Sequence, residues 1–155
     1  MRAGKTLRVT IATASMTPTL APGDHILVRG ARADELRVGD IALLRAGEMY
    51  VAHRLLARRG AQWIAKGDHV ARADPSWAPA QVCGVVVARQ TGARTAPRSC
   101  RMAMLNRWLA RLSQIEIWTG RIHSRRLRHA AAKLARGGLR LAALGARRWA
   151  REVSA

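Results

Sequence analysis

The sequence predicts a mainly β fold, a small β-barrel or sandwich followed by a basic α-helical extension, and three observations carry the prediction. Six or seven short apolar runs lie between Leu7 and Ala88, with Gly, Pro and Asp turn signals recurring roughly every 8–12 residues. Within one run, Val51, His53 and Leu55 alternate with Tyr50, Ala52, Arg54 and Leu56, the two-residue period of a strand. Past residue 101 the period changes, and Leu105, Trp108, Leu109 and Leu112 recur at i, i+3, i+4 and i+7. A chain of 155 residues, 49% of them hydrophobic, is long enough for one globular unit with a core plus an appendage. The expected division is a β domain over 1–90, a linker containing Thr, Gly and Pro over 91–101, and an Arg-rich amphipathic helical extension over 102–155.

Residues 7–12 form the first expected strand, which runs into Ser15. Pro18 fixes its own φ and biases Thr17 away from helix. Ser15 is therefore expected in a short, stiff, non-helical segment at a strand end, with its hydroxyl held toward a ligand. Serines beside turns are commonplace, so this segment alone does not identify a nucleophile. Pro22-Gly23-Asp24 turns the chain into a second strand at 25–29. A polar connector over 30–36 and the turn Arg37-Val38-Gly39-Asp40 precede a strand at 41–44. Ala46-Gly47-Glu48 leads into the strand at 49–56, and Arg58-Arg59-Gly60-Ala61 is a hairpin turn before the strand at 62–65. Lys66-Gly67-Asp68 ends that strand, and a loop carrying Asp74-Pro75 runs to Pro79. The last strand, at 81–88, is rich in valine. In the extension, a second helical stretch over 122–149 alternates Leu127, Leu134, Leu141 and Leu144 with arginine, and is weakened at Gly137-Gly138.

The net charge is +19, and among the basic residues only Lys5, Lys66 and Lys133 are lysines. Residues 100–155 hold 13 basic and 2 acidic residues, which concentrates the charge in the extension. Such a charge attracts anionic lipid or nucleic acid, although arginine spread over a solvated surface is the plainer reading. For the extension, packing or oligomerisation ranks first, peripheral membrane contact second and nucleic acid last. Cys83 and Cys100 lack paired ligand spacing, so no metal site is expected, and neither a cofactor nor a disulfide is indicated. The longest uncharged runs, 9–23 and 76–88, fall short of the ~18–20 apolar residues of a membrane span and contain proline. Met1-Arg2-Ala3-Gly4-Lys5 imitates the start of a signal peptide, but the apolar stretch behind it is short and carries Arg8 and Thr10. A cytoplasmic or peripherally membrane-associated protein is expected, with no transmembrane helix or signal peptide.

Three segments together point to chemistry. They are Ser15-Met16-Thr17-Pro18-Thr19-Leu20 with Gly23-Asp24; Gly39-Asp40-Ile41 with Val51-Ala52-His53-Arg54; and Lys66-Gly67-Asp68 with Asp74. A serine hydroxyl is a poor nucleophile until a base takes its proton, and neutral imidazole suits that task near pH 7. A carboxylate then orients the ring, and Asp74 and Asp68 are both candidates. His53 on a strand face would ordinarily be a core or edge histidine, and Asp74 would ordinarily cap its Asp-Pro turn. His25 and His69 also lie near these segments and are expected to face solvent.

In order and spacing the three segments resemble the signal peptidase I superfamily, which includes the self-cleaving repressor proteases. The resemblance covers residues 9–88. It implies a small β catalytic domain and a serine endopeptidase that cleaves a precursor or leader peptide. The peptide would dock as an extended added strand, with small side chains preferred. Bacterial-type members carry lysine as base, whereas archaeal and endoplasmic-reticulum-type members carry histidine, and here the second segment offers His53. Lys66 lies in the wrong segment to replace it. By resemblance the acidic member falls at Asp74, Asp68 is a supporting residue, and Thr13 with the Ser15 amide forms the oxyanion hole. Met16 and Leu20 would be core or pocket wall. Two features depart from the family: Ala14 stands where glycine usually precedes the nucleophile, and the membrane anchor of secretory members is not seen. The basic tail, a partner, or a cytosolic precursor substrate would each resolve the second departure. The rival readings are a non-catalytic peptide-binding module of the same fold, and a repressor-protease-like regulator whose tail binds nucleic acid. Against the regulator, no helix-turn-helix precedes the serine segment and the base is not lysine. Oligomeric state is left open.

Overall fold

The computed structural model describes residues 4–91, 94–97 and 106–114. Seven strands dominate: β1 (Thr6–Thr10), β2 (His25–Gly30), β3 (Ile41–Ala46), β4 (Met49–Arg59), β5 (Gln62–Lys66), β6 (Val82–Thr91) and β7 (Arg94–Pro97). They form one antiparallel sheet in the order β1-β2-β6-β3-β4-β5, with β7 paired to β6. The first six match the apolar runs of the sequence to within a few residues at each end. Two-residue loops close the β3–β4 and β4–β5 hairpins at Gly47-Glu48 and Gly60-Ala61.

The sheet is open, where the sequence suggested a barrel or a sandwich. Its hydrogen-bonded path runs from β1 to β5, and among the described residues no ladder joins those two ends. The physical reason lies in β6 and β3. β6 is ten residues long and takes β2 along one edge, and β3 followed by β7 along the other, so both halves belong to one sheet. β3 is then covered on both faces. Ile41 and Leu43 enter one core with Met16, Leu20, Ile26 and Val28. Ala42 and Leu44 enter a second core with Leu55, Trp63, Ala65 and Trp77. Bulges at Leu27/Val28, Leu43/Leu44 and Leu55/Ala57 add local twist, which lets a single sheet coil around two cores.

Arg94–Pro97 falls in the stretch expected to be linker, yet it pairs with β6 from Ala88 to Thr91. β3 pairs with β6 only as far as Val85, so the remainder of that edge accepts another strand. Residues 106–114 are helical (α1), as the period predicted, but the buried face is turned. Asn106, Leu109, Ala110 and Ser113 are buried, Leu112 is half-buried, and Trp108 is 57% exposed beneath the Arg111 guanidinium. Close approach explains the choice. A Cβ on Gly39 would come within 2.9 Å of the Arg107 nitrogen, so the helix backbone lies directly on the turn before β3. Small and polar side chains permit that distance where Trp108 would not. The Gln114 amide also donates to the Leu56 carbonyl. The rest of the expected extension, including the stretch over 122–149, lies outside the described residues. Among the described residues no helix is long and apolar enough to cross a membrane.

Candidate active site

Ser15 sits in a single 3₁₀ turn, Ala14–Met16, rather than in the non-helical segment expected from the sequence. The Ala14 carbonyl accepts both the Thr17 N–H, at 3.0 Å, and the Thr17 hydroxyl, at 2.8 Å, which closes one turn before Pro18. Thr17 itself is extended, as a residue before proline should be, and the Thr17–Pro18 peptide is cis. Met16 is 1% exposed and anchors the turn in the core shared with Leu20 and Ile26. Arg89 donates to the Thr19 carbonyl at 2.8 Å, and Ile11 and Gly23 tie the segment's two ends to each other. Ser15 therefore stands on a pinned backbone, half-buried at the surface.

His53 lies on β4 opposite Ala42 and is buried. Its Nε2 is 3.4 Å from Ser15 Oγ, and its Nδ1 is 2.6 Å from Asp74 Oδ2. Asp74 follows β5 in a loop tied back by its own N–H, which donates to the Ala65 carbonyl at 2.9 Å. The Trp77 indole N–H donates to the same Oδ2 at 3.1 Å. An indole N–H can only donate, which marks Oδ2 as an acceptor. The Nδ1 proton therefore lies toward Asp74, and in the neutral ring Nε2 presents its lone pair to Ser15. Thr13 Oγ1 is 3.3 Å from Ser15 Oγ on an exposed segment.

Arg54, the next residue on β4, projects to the opposite side, as the strand period requires. It is 0% exposed and grips Asp68 with two parallel bonds of 2.8 and 2.7 Å. Its third nitrogen donates to the Gly39 carbonyl at 3.1 Å, and the Thr19 hydroxyl donates to Asp68 at 2.5 Å. Asp68 and Arg54 together thus join four segments: the serine loop, the turn before β3, β4 and the end of β5. Gly67, just before Asp68, packs against Ser15 and His53. A Cβ there would meet the Ser15 carbonyl oxygen at 2.6 Å and His53 Nε2 at 3.1 Å. The His69 N–H also donates to the Ser15 carbonyl at 2.8 Å.

The structure brings Ser15, His53, Asp74 and Thr13 together and places Asp68 against Arg54. His69 is exposed, His25 is half-buried against the Thr10 hydroxyl, and Lys66 is buried at the end of β5. The sequence reading gave no role to Trp77, Arg54 or Gly67. A signal for Arg54 existed: an arginine in an apolar strand needs a carboxylate. Among the described residues no group of three or more His, Cys, Asp or Glu is placed to hold a metal ion. Comparison with protein-family models, with curated proteins and with solved structures finds no match.

Proposed function

We propose that this chain is a serine endopeptidase of the signal peptidase I type, which cleaves a precursor or leader peptide through Ser15, His53 and Asp74. The supporting observation is the single line Ser15 Oγ, His53 Nε2, His53 Nδ1, Asp74 Oδ2, with steps of 3.4 and 2.6 Å. The first step is longer than the ~2.6–3.2 Å of productive proton transfer, as is common before a substrate tightens the site. In this reading Ser15 Oγ attacks the scissile carbonyl while Nε2 takes its proton. Asp74 stabilises the imidazolium, which then protonates the leaving amine. Water, activated by the same nitrogen, releases the acyl group. The Ser15 N–H and the Thr13 hydroxyl would hold the oxyanion. Ala12, Thr13 and Ala14 are exposed beside Ser15, and an extended peptide would dock along them. Residues 1–90 would then be the catalytic domain, and the basic residues past 114 would meet a membrane surface or a partner.

The test is covalent labelling by a fluorophosphonate probe. Wild type is expected to label and both Ser15→Ala and His53→Ala to lose it. Equal labelling of all three proteins would place the chemistry elsewhere. No labelling of any would favour the peptide-binding module.

A further inference from the structure

We propose that Trp77 is a positioning residue for this site, its indole N–H fixing the Asp74 carboxylate on His53. The activity readout of this inference rests on the hydrolase reading above, but the hydrogen-bond chain is testable without turnover.

The geometry carries it. Asp74 Oδ2 accepts two donors at once, His53 Nδ1–H at 2.6 Å and Trp77 Nε1–H at 3.1 Å. The Asp74 side chain is 14% exposed, so without a second anchor its carboxylate can rotate toward water. Trp77 supplies an anchor that cannot rotate. It is 8% exposed in the core beside Leu55 and Trp63. Its backbone also exchanges two hydrogen bonds with Trp63 on β5, at 2.8 and 2.9 Å. The ring is therefore held by core packing and by an isolated bridge at the sheet edge. Its N–H carries that rigidity to the oxygen that sets the imidazole's tautomer. Hydrogen bonds to an ionised carboxylate are stronger than neutral ones, which suits a single bond to this task. A carboxylate held in place keeps Nδ1 protonated and Nε2 aimed at Ser15.

Trp63 provides a matched control. It is buried in the same core, and its indole N–H donates at 3.0 Å to the Ala33 carbonyl, away from the site. Trp77→Phe and Trp63→Phe each remove one buried N–H and keep an aromatic ring. The first readout is the downfield Nδ1 proton of His53 in protein labelled with ¹⁵N-histidine. It should be retained in wild type and Trp63→Phe, and move upfield or be lost to exchange in Trp77→Phe. The second is the fluorophosphonate labelling rate. It should fall roughly tenfold in Trp77→Phe, the lower end for losing a bond to a charged acceptor, and stay within about twofold in Trp63→Phe. An unmoved proton and an unchanged rate in Trp77→Phe overturn the proposal. So does an equal response in Trp63→Phe, which would make the effect one of core packing. If wild type never labels but the proton responds as expected, the positioning role stands and the hydrolase reading falls. If labelling depends on Ser15 and His53 but ignores Trp77, the reverse holds. Wild type offers a measurement that needs no variant. The Trp77 indole proton should exchange far more slowly than that of exposed Trp108, and equal rates overturn the proposal.

Discussion

Gly67 sets the tolerance of the site at the scale of single residues. An added methyl would sit 2.6 Å from the Ser15 carbonyl oxygen, a backbone atom that cannot swing aside like a side-chain tip. Gly67→Ala is therefore expected to push the serine turn away from His53, whose Nε2 is also only 3.1 Å from the new carbon. Misplacing a reacting group by about 1 Å can cost roughly 100-fold in rate, and probe labelling should fall by that order. A variant that labels like wild type would show that the serine turn moves freely. Ser15, His53 and Asp74 were legible as residues because each lies in a short box with its own turn chemistry. Gly67 and Trp77 were not. Their importance comes from what approaches them, and nothing local to a glycine or a tryptophan announces a hydroxyl turn or a carboxylate.

At the scale of elements, three Gly-Asp pairs look alike in the sequence and do two different jobs. Gly23-Asp24 and Gly39-Asp40 close tight turns with glycine at φ 87° and 94°. Each aspartate accepts the N–H three residues earlier, at 2.8 Å from Ala21 and 3.0 Å from Arg37. These are turns of the kind that need a residue at positive φ, and they deliver the chain into β2 and β3. Gly67-Asp68 instead sends its carboxylate to buried Arg54. Removing one partner of such a pair leaves an uncompensated buried charge. Arg54→Ala should therefore lower the unfolding free energy by about 3–5 kcal/mol in urea titration. The double replacement Arg54→Met with Asp68→Leu should recover most of that loss. A single variant within about 1 kcal/mol of wild type would mean that water reaches the pair. The strands themselves were legible, since the two-residue period survives folding. The face of α1 was not, because close contact with Gly39 outweighed the hydrophobic stripe.

For the molecule as a whole, the site lies on a seam. The serine turn hangs from the core containing Met16, and Asp74 hangs beside the core containing Trp77. β4 crosses between them with His53. The geometry of Ser15, His53 and Asp74 therefore depends on how the two cores are held together, and α1 is part of that. Its backbone at Asn106 and Arg107 lies over the turn at Gly39, whose carbonyl Arg54 also holds, and its Leu109 and Ala110 are buried. Ending the chain before residue 106 should lower the unfolding free energy by about 2 kcal/mol, the order expected for uncovering one buried leucine. Thermal or urea denaturation of the shortened chain checks this. An unchanged midpoint would mean that the helix rests on the sheet without supporting it.

The sequence by itself determined the strands, their turns and the helical period at 106–114, and it singled out Ser15, His53 and Asp74 as candidates. These are local properties, written in side-chain period and in Gly, Pro and Asp placement. The tertiary structure alone decided that the sheet stays open around two cores. It also decided that buried Arg54 takes the Asp68 carboxylate, and that a tryptophan shares the Asp74 carboxylate with His53. Those outcomes depend on distances between segments far apart in the chain, which packing sets and no short stretch of sequence contains.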